Sequence, residues 1–133
     1  MNKFIIFTLL VMLVPNIGGW SARGDQPTAV IREKLLGRWQ TQAGLLLTLE
    51  AEGTFLVQPP AASGRGPISG TWRLSEHKIE FQNAATAAVC PEVPGRYRWA
   101  ESMPGTIEFT LIADACRSRK QHLAGSFHKV TTD

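Results

Sequence analysis

The chain has 133 residues, with 14 Lys and Arg against 11 Asp and Glu, and a formal net charge of +3. So small an excess, with the two signs interspersed, lacks the basic footprint of a nucleic-acid-binding protein, and no nucleic-acid partner is expected. The P-loop and dinucleotide-binding glycine signatures are absent too, so no nucleotide cofactor is expected.

The first 22 residues read as a leader. Lys3 supplies a positive start, residues 4–14 (FIIFTLLVMLV) carry no charge, and Pro15, Asn16, Gly18 and Gly19 end the run before the small residues Ser21 and Ala22. That is the layout of a secretory signal peptide, cleaved near Ser21 or Ala22. The run is shorter than the roughly 20 residues of a membrane span. No cysteine lies beside the cleavage site to take a lipid, so no stable membrane anchor is expected. Residues 23–133 then make one exported domain, secreted or, in a cell with two membranes, periplasmic. Arg23-Gly24-Asp25 has the form of an adhesion tripeptide, but beside a new N-terminus it is read as chance.

The mature chain opens with DQPTAVIREKLLG. Pro27 suits a first helical turn, and Val30, Ile31, Lys34 and Leu35 fall at helical spacing before Gly37, which predicts a short helix over 27–36. From there the period changes to two. RWQTQ is a first strand, and Leu45, Leu47 and Leu49 share a face of the next. A Glu-Gly turn leads into TFLVQ. Residues 59–67 (PPAASGRGP) read as an exposed loop. ISGTWRL puts Ile68, Gly70, Trp72 and Leu74 on one side, and HKIEFQ does so with Ile79 and Phe81. After a looser stretch, RYRWAE sets Tyr97 and Trp99 against Arg96 and Arg98, and TIEFTLI sets Ile107, Phe109 and Leu111 against Thr106, Glu108 and Thr110. A turn at Cys116 precedes a last strand, HLAGSFHKV, with Leu123, Gly125 and Phe127 on one face.

Strands that are apolar on one face and polar on the other belong to antiparallel sheets with one wet side, and closing the sheet removes its edges. The expected fold is all-β: an eight-stranded antiparallel up-and-down barrel preceded by one short helix. A two-sheet sandwich is the rival that short successive turns disfavour.

The residues that could carry chemistry are few. Cys116 stands among Arg117, Arg119, Lys120 and His122, a setting that lowers a thiol pKa. In an exported chain with two cysteines, however, Cys90 and Cys116 read as a disulfide. The loop it closes, about 26 residues, is worth roughly 3 kcal/mol in the chain-entropy account. His77, His122 and His128 lack close metal-ligand spacing, so no metal site is expected. Glu50, Glu80 and Glu108 fall on wet faces. Arg38, Arg73, Arg96 and Arg98 do likewise, as partners for those glutamates rather than as a basic patch.

A short helix followed by LLGRWQ, then EGTF, SGTW and a final LAGSF, resembles the lipocalin-like (calycin) barrels, and in particular small exported bacterial domains of that kind. Gly37-Arg38-Trp39 stands where those barrels carry Gly-x-Trp. Cys90, Tyr97-Arg98-Trp99 and the turn from Asp114 to Arg119 add to the likeness, which covers nearly all of the mature chain. The resemblance implies that Trp39 packs at a closed barrel end beneath an arginine from late in the chain, for which Arg119 is the candidate. It also implies a small hydrophobic or amphipathic ligand inside the barrel. There Trp72, Tyr97, Trp99, Phe109 and Phe127 would line the cavity, unless strands this short leave the barrel filled by its own side chains.

The expected function is therefore non-catalytic ligand binding. One alternative is an interaction or inhibitor module that uses loop 59–67 against an exported protein partner. A barrel cyclase or isomerase ranks last, because the pattern places only Tyr97 inside as an ionisable group.

Overall fold

Period-two patterning does become strands. The computed structural model describes residues 28–131; the leader, its cleavage position and the Arg23-Gly24-Asp25 tripeptide lie outside the described residues. Helix α1 (Thr28–Leu35) is followed by β1 (Gly37–Gln40), β2 (Leu46–Leu49), β3 (Thr54–Gln58), β4 (Ile68–Ser75), β5 (Lys78–Asn83), β6 (Pro94–Met103) and β7 (Thr106–Asp114). A second helix, α2 (Arg117–Leu123), then leads into β8 (Gly125–Lys129). All eight strands pair antiparallel with their sequence neighbours, and β8 returns to β1 to close the barrel.

Because the chain reverses at each strand, its connections sort to two ends. One end carries α1 and the tight turns at 50–53, 76–77 and 104–105. The other carries the turn at 41–45, loops 59–67 and 84–93, and α2. At the first end α1 acts as a plug. Leu35 is fully buried, and its carbonyl accepts a hydrogen bond from Trp39 Nε1 at 2.8 Å. Arg32 lies 4.4 Å above the Trp72 ring and donates to the Ala51 carbonyl at 2.7 Å, while Lys129 covers Trp39 at 4.6 Å and donates to the Leu36 carbonyl. Each indole thus sits under one cation, an arrangement worth about 0.5–2 kcal/mol apiece.

Between the ends, inward residues fill the barrel. Phe81 is the hub, in edge-to-face contact with Phe55 (5.2 Å between ring centres), Tyr97 (5.9 Å) and Phe109 (6.0 Å), and Phe109 packs in turn on Phe127 (5.4 Å). Such pairs add about 0.5–1.5 kcal/mol each beyond the area they bury. Gly70 makes room for this packing: a Cβ there would stand 2.8 Å from Phe55 Cε1 and from the Asn83 backbone.

Three expectations are corrected. The turn after Cys116 is a helix, in which Arg119 and Leu123 point inward four residues apart, so the last strand begins at Gly125 and not at His122. Leu111 is 39% exposed rather than inward. The ladder between β7 and β8 stops at Phe109, and a register shift beside Tyr97 changes the alternation so that Asp114 turns in. Thr106, expected on the wet face, is buried and hydrogen-bonded to His128 Nδ1 at 3.1 Å.

Candidate ligand-binding site

The end opposite α1 holds a cleft of about 750 Å³, within the range of small-molecule sites. Loop 59–67 forms one wall with Pro59, Arg65 and Pro67, and β4 supplies the floor with Ile68 and Ser69. The apolar wall is Ala87, Ala88 and Val89 of loop 84–93. Facing it, α2 contributes Arg117, Ser118, Gln121 and His122, residues that recur on one side of a helix.

Sequence chemistry explains why these pieces meet. The Cys90–Cys116 disulfide is formed, with Cα atoms 5.8 Å apart, and it ties loop 84–93 to the start of α2. Beneath α2, Arg119 is held by a polar cluster inside the barrel mouth. Its Nη2 and Nε donate to the two oxygens of Asp114 at 2.7 and 2.8 Å, and its Nη1 donates to Asn83 Oδ1 at 2.9 Å. Asp114 also accepts from the Cys116 N–H at 2.9 Å and from the Tyr97 hydroxyl. Asn83 Nδ2 donates to the Val89 carbonyl at 2.8 Å, which carries the network back to the cleft wall.

These contacts set the protonation states. Burial pushes the Tyr97 hydroxyl well above its ordinary range, helped by the Asp114 carboxylate beside it. Burial alone would raise Asp114 too, but hydrogen bonds from Arg119, Tyr97 and the Cys116 N–H outweigh it and hold the carboxyl below the usual range. At the cleft itself, Arg65 Nη1 lies 3.3 Å from His122 Nε2. A guanidinium only donates, so Nε2 is the accepting nitrogen and the proton of the neutral ring sits on Nδ1. Burial, with the Arg65 charge added, lowers the His122 pKa.

Comparison with protein-family models, with curated proteins and with solved structures finds no match. The site therefore rests on its own geometry.

Of the residues expected at the site, Trp72, Tyr97, Trp99, Phe109 and Phe127 all lie in the packed core. They meet one another and the other core side chains, and the cleft at the mouth is lined by different residues. Trp39 lies at the α1 end, its Nε1 on the Leu35 carbonyl. Arg119 does not close that end: it is buried at the opposite end with Asp114, and the late-chain cation over Trp39 is Lys129. Sequence reading missed Asp114 because a bulge breaks the alternation there, and missed Asn83 because it is a polar residue, although it continues the inward Ile79–Phe81 face of β5. It missed the cleft because the cleft is made by loops. Of the four outward arginines, Arg73 pairs with Glu80 at 3.1 Å and Arg96 with the same carboxylate at 3.8 Å, whereas Arg38 and Arg98 have no carboxylate partner among the described residues.

Proposed function

We propose that the protein is an exported, non-catalytic, lipocalin-like barrel that binds a small apolar or amphipathic molecule, and that the ligand sits in the cleft at the barrel mouth rather than in the interior. The observation that carries this reading is the 750 Å³ cleft walled by α2 and two loops above a side-chain-filled barrel. The disulfide fits an oxidising, extracytoplasmic setting, and no helix among the described residues is long and apolar enough to cross a membrane. A catalytic reading is weaker because Tyr97, Asp114 and Arg119 spend their hydrogen bonds on one another beneath α2.

Native mass spectrometry of the exported chain, purified gently with its disulfide intact, tests the proposal. A co-purifying mass that is released on denaturation is the expected result. A bare protein mass from every preparation favours the second reading, an interaction module acting on an exported protein partner. That reading is supported by the exposure of every residue from 61 to 67 in the loop beside the cleft.

A further inference from the structure

The cleft is asymmetric in charge. Its lining includes Arg65 and Arg117 and not one Asp or Glu. Elsewhere Arg73 and Arg96 share Glu80 and Arg119 has Asp114, while Arg32, Arg38 and Arg98 have no carboxylate partner among the described residues but line no cleft with a second arginine. Among the described residues, the only side-chain partner of Arg65 is His122, itself a base, and Arg117 has none. Two cations therefore face one concavity with no counter-charge. Beside them stands an apolar strip, Ala87, Ala88 and Val89, with Ile68 below, and Val89 remains 36% exposed.

We propose that the cleft binds a small amphipathic anion, its carboxylate or phosphate headgroup on Arg65 and Arg117 and its aliphatic or aromatic body on the Ala87–Val89 strip. This inference rests on the ligand-binding reading above and adds the class of ligand. Guanidinium is the cation best suited to either headgroup, since its fork of donors meets two oxygens at once. The apolar strip supplies what a free inorganic anion would not use. A headgroup that engages Arg65 also competes with His122 for that guanidinium and cancels the charge that discourages ring protonation. The other basic groups that line the two concavities His122 borders are Arg65, Arg117 and His128; Arg119 and Lys120 of its own helix line neither, and no carboxylate lines either to buffer the change. Binding therefore raises the His122 pKa, and the complex takes up protons as it forms.

The test is titration calorimetry and NMR on the disulfide-bonded mature chain. The probes are dodecanoate, dodecyl phosphate, dodecanol and dodecyltrimethylammonium, all below their micellar concentrations. The two anions are expected to bind, dodecanol at least tenfold more weakly, and the cation not at all. Arg65→Gln and Arg117→Gln, both at exposed positions, are each expected to cost the anions about tenfold, as loss of a charge-assisted hydrogen bond does, and to leave dodecanol unchanged. Val89→Asp, which adds an acid to the strip, is expected to abolish anion binding in a chain that still folds. The His122 ring is expected to titrate higher in the complex. Preference for dodecanoate or for dodecyl phosphate supports the inference either way and names the headgroup. Equal binding of dodecanol, or arginine variants that bind anions as the parent does, overturns the anion claim while leaving ligand binding in place. Failure of all four probes to shift any cleft resonance overturns both.

Discussion

Arg119 keeps a full charge with 1% of its side chain exposed because Asp114, itself fully buried, takes two of its donors and Asn83 a third. Removing one partner of such a pair strands the other, at a cost of about 3–5 kcal/mol. Asp114→Asn is expected to lose stability of that order, read by urea unfolding at neutral pH. The sign of its pH dependence follows from the lowered pKa: the Asp114 contribution is complete above the ordinary carboxylate range and is lost as pH falls through the depressed folded value. The gap between parent and variant should therefore close in acid. Tyr97 titrates the other way. Its raised pKa means that the stability from its neutral hydroxyl is present below about pH 10 and lost as pH rises beyond it. Tyr97→Phe should be about 1 kcal/mol less stable than the parent at pH 7, with the difference shrinking or reversing in strong alkali. A Cβ at Gly95 would approach Arg119 Nη2 to 2.7 Å, so Gly95→Ala disturbs the same cluster from the strand side. Tyr97 could be placed inside from alternation with Trp99. Asp114 could not, since the bulge that turns it inward leaves no mark on the residue pattern.

At the scale of elements, the strands were readable and the helices only half so. Leucines at 45, 47 and 49, or Trp72 between Gly70 and Leu74, declare a period of two whatever surrounds them. The sequence from Arg117 to Leu123 is too short to show a helical period, and only the docking of Arg119 and Leu123 into the barrel mouth makes it fold as α2. Its anchor is covalent as well: the disulfide closes a 26-residue span that includes β6 and β7. Replacing both cysteines by alanine is expected to lower stability by about 3 kcal/mol. It should also raise amide exchange in loop 84–93 and α2 above that in β2–β5. At the other end α1 is held by its own apolar anchor. Leu35→Ala should cost about 2–5 kcal/mol in equilibrium unfolding, and it should expose Trp39 and Trp72 to solvent quenchers if α1 is the plug.

Seen whole, the described residues form a small barrel around one buried cluster of apolar side chains. Eight strands enclose a space that aromatic and aliphatic side chains fill. The closed barrel was legible because alternation, turn spacing and the need to bury sheet edges all point the same way. The site was not legible, because three separated segments build it and only their fold makes them neighbours. The aromatic residues that seemed best suited to a ligand are the ones that hold the barrel together, and the concavity lies outside them at the mouth. The most direct test is to titrate isotopically labelled protein spanning residues 23–133 with dodecanoate and follow backbone and methyl resonances. Shifts confined to residues 65–69, Ala87, Ala88, Val89 and the exposed face of α2, with Phe81, Phe109 and Phe127 unmoved, are the predicted result. Shifts centred on those three rings, with the mouth silent, would contradict it and return the ligand to the barrel interior.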